Sequence, residues 1–138
     1  MNLFQNLDGT LIDSYNAFSN WLDGSLSEKL PDEIMAVNFN LYESCENEYC
    51  IEFVGCSRFD AQDDDWACDE VFATREHPYL LSSVADDVKW EEVLALAVSL
   101  IMSYLSKGRF SGKLKKYKAL AIGFVDGDLE ILYSNIHF

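Results

Sequence analysis

The strongest constraint on this chain is a pair of segments in which apolar and polar residues alternate. Val37, Phe39 and Leu41 alternate with Ala36, Asn38, Asn40 and Tyr42. After the acidic turn from Glu43 to Glu48, Tyr49, Ile51, Phe53 and Gly55 share one face, opposite Cys50, Glu52, Val54 and Cys56. Successive side chains of a strand point to opposite sides, so a period of two predicts two strands, and the short polar connection pairs them antiparallel. A second hairpin is predicted near the carboxyl end. Residues 117–125 and 129–133 are apolar, β-rich runs joined by Asp126-Gly127-Asp128, and Asp-Gly is a strong turn signal.

Two segments carry the helical period instead. Leu11, Ile12, Tyr15, Phe18, Trp21 and Leu22 fall on one face between Thr10 and Asp23, with Gly24 as the expected stop. Trp90, Val93, Leu94, Ala97, Leu100, Ile101, Tyr104 and Leu105 form a broad apolar stripe that begins after Asp86-Asp87, the expected cap, and ends at Lys107-Gly108. The stretch Trp66–Arg75 fits either period and reads best as an edge strand, and His77-Pro78 ends it. The order helix, two or three strands, helix, two strands predicts a single α+β domain over 1–138. Its antiparallel sheet has four to five strands, with two main helices packed on one face.

The chain has 138 residues and is 49% apolar, with nine Phe, seven Tyr and three Trp, enough to build a core without cross-links. Four cysteines at 45, 50, 56 and 68 lack close C-x₂-C pairs, and the two histidines stand apart from them. Free thiols are expected, and no zinc site or other cofactor. Met1–Asp8 carries neither a positive leader nor an apolar h-region, so the expected compartment is the cytoplasm. The longest apolar run, Val93–Met102, has about half the length that crosses a bilayer.

Charge is distributed unevenly. Residues 1–88 carry nineteen Asp and Glu against three Lys and Arg, whereas residues 89–138 carry five against seven. Such an acidic surface repels nucleic acid and anionic lipid and attracts cationic proteins. Lys113, Lys115, Lys116 and Lys118 are expected on a solvated edge of the second hairpin.

Phe4–Ser14 resembles the opening motif of the haloacid-dehalogenase-type phosphatases, in which two aspartates flank one residue before Gly-Thr. The resemblance places that family's aspartate nucleophile at Asn6, whose amide does not attack phosphorus as a carboxylate does. No glycine-rich run opens a helix to cradle phosphate.

The most distinctive block is Asp60, Asp63, Asp64, Asp65, Asp69 and Glu70 around Trp66. Trp66 either anchors a partner among carboxylates that meet its Arg and Lys, or it enters the core beneath a solvated loop. The expectation is a module that neutralises a basic protein, in the manner of an immunity protein for a cationic, nuclease-like bacterial toxin. Its contact surface would be the block from Asp60 to Glu70, helped by Glu43, Glu46 and Glu48. One alternative is an enzyme or metal-binding protein with a divalent ion in the acidic loop, although the Gly and terminal Glu of a calcium loop are missing. Another is an adaptor, with monomer and homodimer both open.

Overall fold

The computed structural model describes residues 8–45, 48–81, 89–125 and 127–135, with the side chains of the first helix from Tyr15 onward and without that of Cys45. The first helix, α1, spans Asp8–Ser27. Phe18, Leu22 and Leu26 recur every four residues and are at most 1% exposed, which explains why the helix does not stop at Gly24 as expected. A glycine inside a helix costs about 1 kcal/mol. Burying a leucine side chain contributes about 1.5–3 kcal/mol, so the apolar stripe carries the helix one turn further. No basic residue of α1 lies in its last turn. Lys113 supplies the missing cation, donating from Nζ to the carbonyl oxygens of Leu26 at 2.5 Å and Glu28 at 3.1 Å. It is therefore a helix tether rather than part of a solvated hairpin edge.

Strands β1 (Ala36–Cys45) and β2 (Glu48–Cys56) pair antiparallel as the alternation predicts, with Phe39 opposite Phe53 and Leu41 opposite Ile51. The chain then covers one side of the sheet with a loop, which contains a 3₁₀ turn at Asp64–Cys68. Short strands β3 (Glu70–Ala73) and β4 (Tyr79–Leu81) follow, both antiparallel to β2. The two share its outer edge, β3 against Val54–Cys56 and β4 against Tyr49–Ile51.

Helix α2 (Trp90–Lys107) buries Val93, Leu96, Ala97, Leu100, Ile101, Tyr104 and Leu105. It ends at Gly108, as expected. The Tyr104 ring packs so closely there that a Cβ on Gly108 would lie 2.6 Å from it. The Tyr104 hydroxyl donates to Asp23 of α1 at 2.6 Å and joins the two helices. At the other end the cap is Lys89, which makes no side-chain capping bond, and Asp86-Asp87 lie outside the described residues. Trp90, expected on the buried stripe, is 56% exposed because it is the first residue of α2 and overhangs the end of the sheet. A short α3 (Ser111–Leu114) leads to β5 (Ala119–Phe124) and β6 (Glu130–Ser134), the predicted second hairpin.

The sheet has the order β3-β2-β1-β5-β6, with β4 beside β3 on β2, so among the described residues it contains six strands. Its pairs are antiparallel except β1 with β5, which run parallel from Ala36 opposite Ala119 to Leu41 opposite Phe124. That parallel pair departs from the all-antiparallel expectation because the chain crosses the sheet through α2 before β5. A helical crossover, unlike a hairpin, returns the chain in the same direction. Both main helices pack on one face, as expected, over Val37, Phe39, Leu41, Ile51, Phe53, Leu120 and Ile122. The opposite face holds a second, smaller core of Ala36, Val54, Cys56, Trp66, Ala119 and Ala121. Among the described residues no helix is long and apolar enough to cross a membrane.

Candidate functional site: an acidic loop clamped over the sheet

The loop after β2 leaves from Ser57 and returns at Asp69, and these two residues tie its ends together. Ser57 donates its backbone N–H to the Asp69 carbonyl at 2.9 Å and its hydroxyl to the same oxygen at 3.3 Å. Local side-chain bonds then shape the chain between them. Asp60 Oδ1 accepts the N–H of Gln62 at 2.9 Å, and Asp63 Oδ1 accepts that of Asp65 at 3.0 Å, capping the 3₁₀ turn. Short acidic side chains satisfy backbone donors in this way at turns and helix starts.

Trp66 fixes the loop to the sheet. It is 1% exposed and meets Phe59 edge to face, with ring centroids 5.3 Å apart. The role of partner-facing anchor therefore does not fall to Trp66, since the loop turns its indole inward where burying the ring outweighs any surface use. The same fold leaves Asp60, Asp63, Asp64 and Asp65 exposed on the outer side.

Asp69 and Glu70 are exposed as well but already engaged. Arg58 Nε donates to Asp69 Oδ2 at 2.6 Å, and Asp69 raises the guanidinium pKa above its ordinary value. Arg75 binds Glu70 with two nitrogens, at 3.0 and 2.8 Å, and this bonding lowers the Glu70 carboxyl below its usual range. The same guanidinium reaches across to Glu52 on β2, at 3.1 Å from Nε and 3.2 Å from Nη2. Glu52 is 4% exposed and also accepts from Asn40 Nδ2 at 3.2 Å. Asn40 in turn accepts from Asn38 at 2.5 Å, while Asn38 Oδ1 has no partner among the described residues. A polar chain thus runs from the inside of the sheet to the acidic surface.

Beneath the loop the Cys56 thiol is pushed up to about 12, first by burial and then by the negative charges of Glu70 and Asp69. Cys50, Cys56 and Cys68 are free thiols, and Cys68 is exposed.

The hairpin acids do not join this loop. Glu43 and Glu48 are exposed at the turn between β1 and β2, whereas the loop departs from the far end of β2. Cys56 follows Glu48 by eight steps along the strand, a distance of about 27 Å. Glu46 lies outside the described residues. Sequence reasoning missed Arg58, Arg75 and the Asn38–Asn40–Glu52 row. Glu52 carried a signal, since a carboxylate inside an otherwise apolar strand run must find a partner once buried. Among the described residues no three His, Cys, Asp or Glu side chains converge in a way that would hold a metal ion.

No protein-family model matches the chain, and neither does any curated protein or solved structure.

Proposed function

We propose that the chain is a binding module that neutralises a basic protein, in the manner of an immunity protein for a cationic, nuclease-like toxin. The observation that carries this reading is the loop from Ser57 to Asp69. Four carboxylates outside the ion pairs found among the described residues, Asp60, Asp63, Asp64 and Asp65, are exposed on it, while its backbone is clamped and its tryptophan buried. A preorganised acidic surface meets Lys and Arg groups without first ordering the chain, and the excess of carboxylates over residues 1–88 steers a cationic partner toward it. Asp69 and Glu70, held by Arg58 and Arg75, brace the loop and leave the contact to the other four. The compartment that suits this role is the cytoplasm.

The test is affinity capture from the source cells at low and moderate salt. It compares the native chain with a variant carrying Asp63→Lys, Asp64→Lys and Asp65→Lys. The expected result is a basic protein retained by the native chain, less strongly at moderate salt, and lost by the variant. Its toxicity when expressed alone should be relieved by the native chain. Capture that ignores the three substitutions would remove the loop from the interface.

A further inference from the structure

A second feature lies at the other end of the sheet, where β1 and β5 finish and α2 begins. A groove of about 890 Å³ opens there, lined among others by Tyr42, Tyr49, Trp90 and Phe124 and by the carboxylates of Glu43 and Glu130. Its size falls within the roughly 300–1,000 Å³ of small-ligand pockets. The rings form a connected set. Trp90 meets Phe124 edge to face at 5.9 Å, and Tyr49 meets Phe124 at 6.2 Å. The Tyr49 hydroxyl is hydrogen-bonded to Glu43, which together with burial raises its pKa.

Two properties set the groove apart from the rest of the surface. Trp90 is 56% exposed and Val125, also lining it, 63%, the two highest values for large apolar side chains among the described residues. Such a patch framed by charged groups is the composition of an interaction site. Glu43, Glu130 and Asp128 are all exposed, and the described lining contains no Lys, Arg or His. An apolar occupant would strip water from these carboxylates without compensation. A guanidinium suits the site, since it stacks on aromatic faces and forks two N–H groups onto a carboxylate.

We infer that this groove receives an arginine side chain presented by a protein partner. The inference shares with the proposed function only the positive charge of the partner. The groove lies at the hairpin end of β2, and the loop carrying Asp60–Asp65 leaves from the opposite end, so either contact stands if the other fails.

The experiment uses the whole chain, with the peptide Ac-Gly-Arg-Gly-Arg-Gly-amide as probe and its citrulline counterpart as the neutral isostere. Calorimetry and tryptophan emission are followed at about 0.15 M salt, where charges more than ~8 Å apart are largely screened. Saturable binding of the arginine peptide is expected, with the citrulline peptide about tenfold weaker, the scale of one charge-assisted contact. The double variant Glu43→Gln, Glu130→Gln and the single variant Trp90→Ala should each weaken binding to a similar degree. All three positions are exposed, so the fold is retained, which circular dichroism verifies. Loss of binding in the variant Asp63→Asn, Asp64→Asn, Asp65→Asn that the groove variants do not reproduce would assign the peptide to the loop and overturn the inference. Equal affinity for the two peptides, or no saturable binding, would overturn it too. So would a native dimer in sedimentation that Trp90→Ala dissociates, because a second copy would then fill the groove.

Discussion

Cys56 and Cys68 stand twelve residues apart in similar acidic surroundings, yet the fold gives them opposite chemistry. Cys56 lies under the loop with no exposure and a thiol pushed up to about 12, while Cys68 faces water. A thiol raised from 9.0 to about 12 favours the folded state wherever the unfolded thiol has not ionised. That contribution is fully present below pH 9.0 and is lost as the pH rises toward about 12, by up to ~4 kcal/mol at 1.36 kcal/mol per unit. Urea unfolding between pH 8 and pH 11 should therefore show a steeper alkaline loss of stability in the native chain than in Cys56→Ala. At pH 8, iodoacetamide should modify Cys68 in the folded chain and Cys56 only in urea, because the thiolate is the nucleophile. Rapid native-state modification of Cys56 would show that the loop opens. Trp66 teaches the same lesson, since a ring flanked by acids in sequence faces away from them in space.

At the scale of elements, Arg75 joins the carboxylates of two strands at one point. It lies just after β3, binds Glu70 at the start of that strand and reaches Glu52 on β2. Thr74 reinforces the seam, since its N–H donates to the Phe53 carbonyl at 3.0 Å and its hydroxyl accepts the Phe53 N–H at 3.0 Å. Replacing Arg75 by Met leaves the buried Glu52 carboxylate without its counter-charge, and because the guanidinium is 59% exposed the cost in urea unfolding should be about 1–2 kcal/mol. The double variant Arg75→Met, Glu52→Leu should recover most of that loss, because the penalty comes from an uncompensated charge rather than from a missing contact. If the double variant is no more stable than Arg75→Met, the pair holds the seam by geometry instead. The helices present a simpler case. Phe18, Leu22 and Leu26 keep α1 helical through Gly24, and Lys113, far away in sequence, closes its carboxyl end.

For the whole molecule the governing quantity is a net charge of −14, concentrated in residues 1–88. Three ion pairs, Arg58–Asp69, Arg75–Glu52 and Arg75–Glu70, offset part of it among the described residues. The remainder repels itself, so salt should stabilise the fold by screening. Raising sodium chloride from about 10 to about 300 mM should increase Tm by a few degrees, as the screening length shrinks from ~30 Å to below 10 Å. A Tm independent of salt would mean that the acids are spaced widely enough to ignore one another.

The sequence by itself determined the two helices, the β1–β2 and β5–β6 hairpins, which residues of β1 and β2 share a face, and the acidity of the loop. Each of these rests on a period or a turn signal carried by residues within a few positions of one another. Tertiary structure alone decided that β5 runs parallel to β1 and that β3 and β4 share one edge of β2. It also decided that Trp66 is core, that Arg58 and Arg75 occupy Asp69 and Glu70, and that Glu43 and Glu48 stand apart from Asp60–Asp65. Those outcomes depend on how much apolar surface and how many charges distant segments bury against each other, and no local pattern carries that quantity.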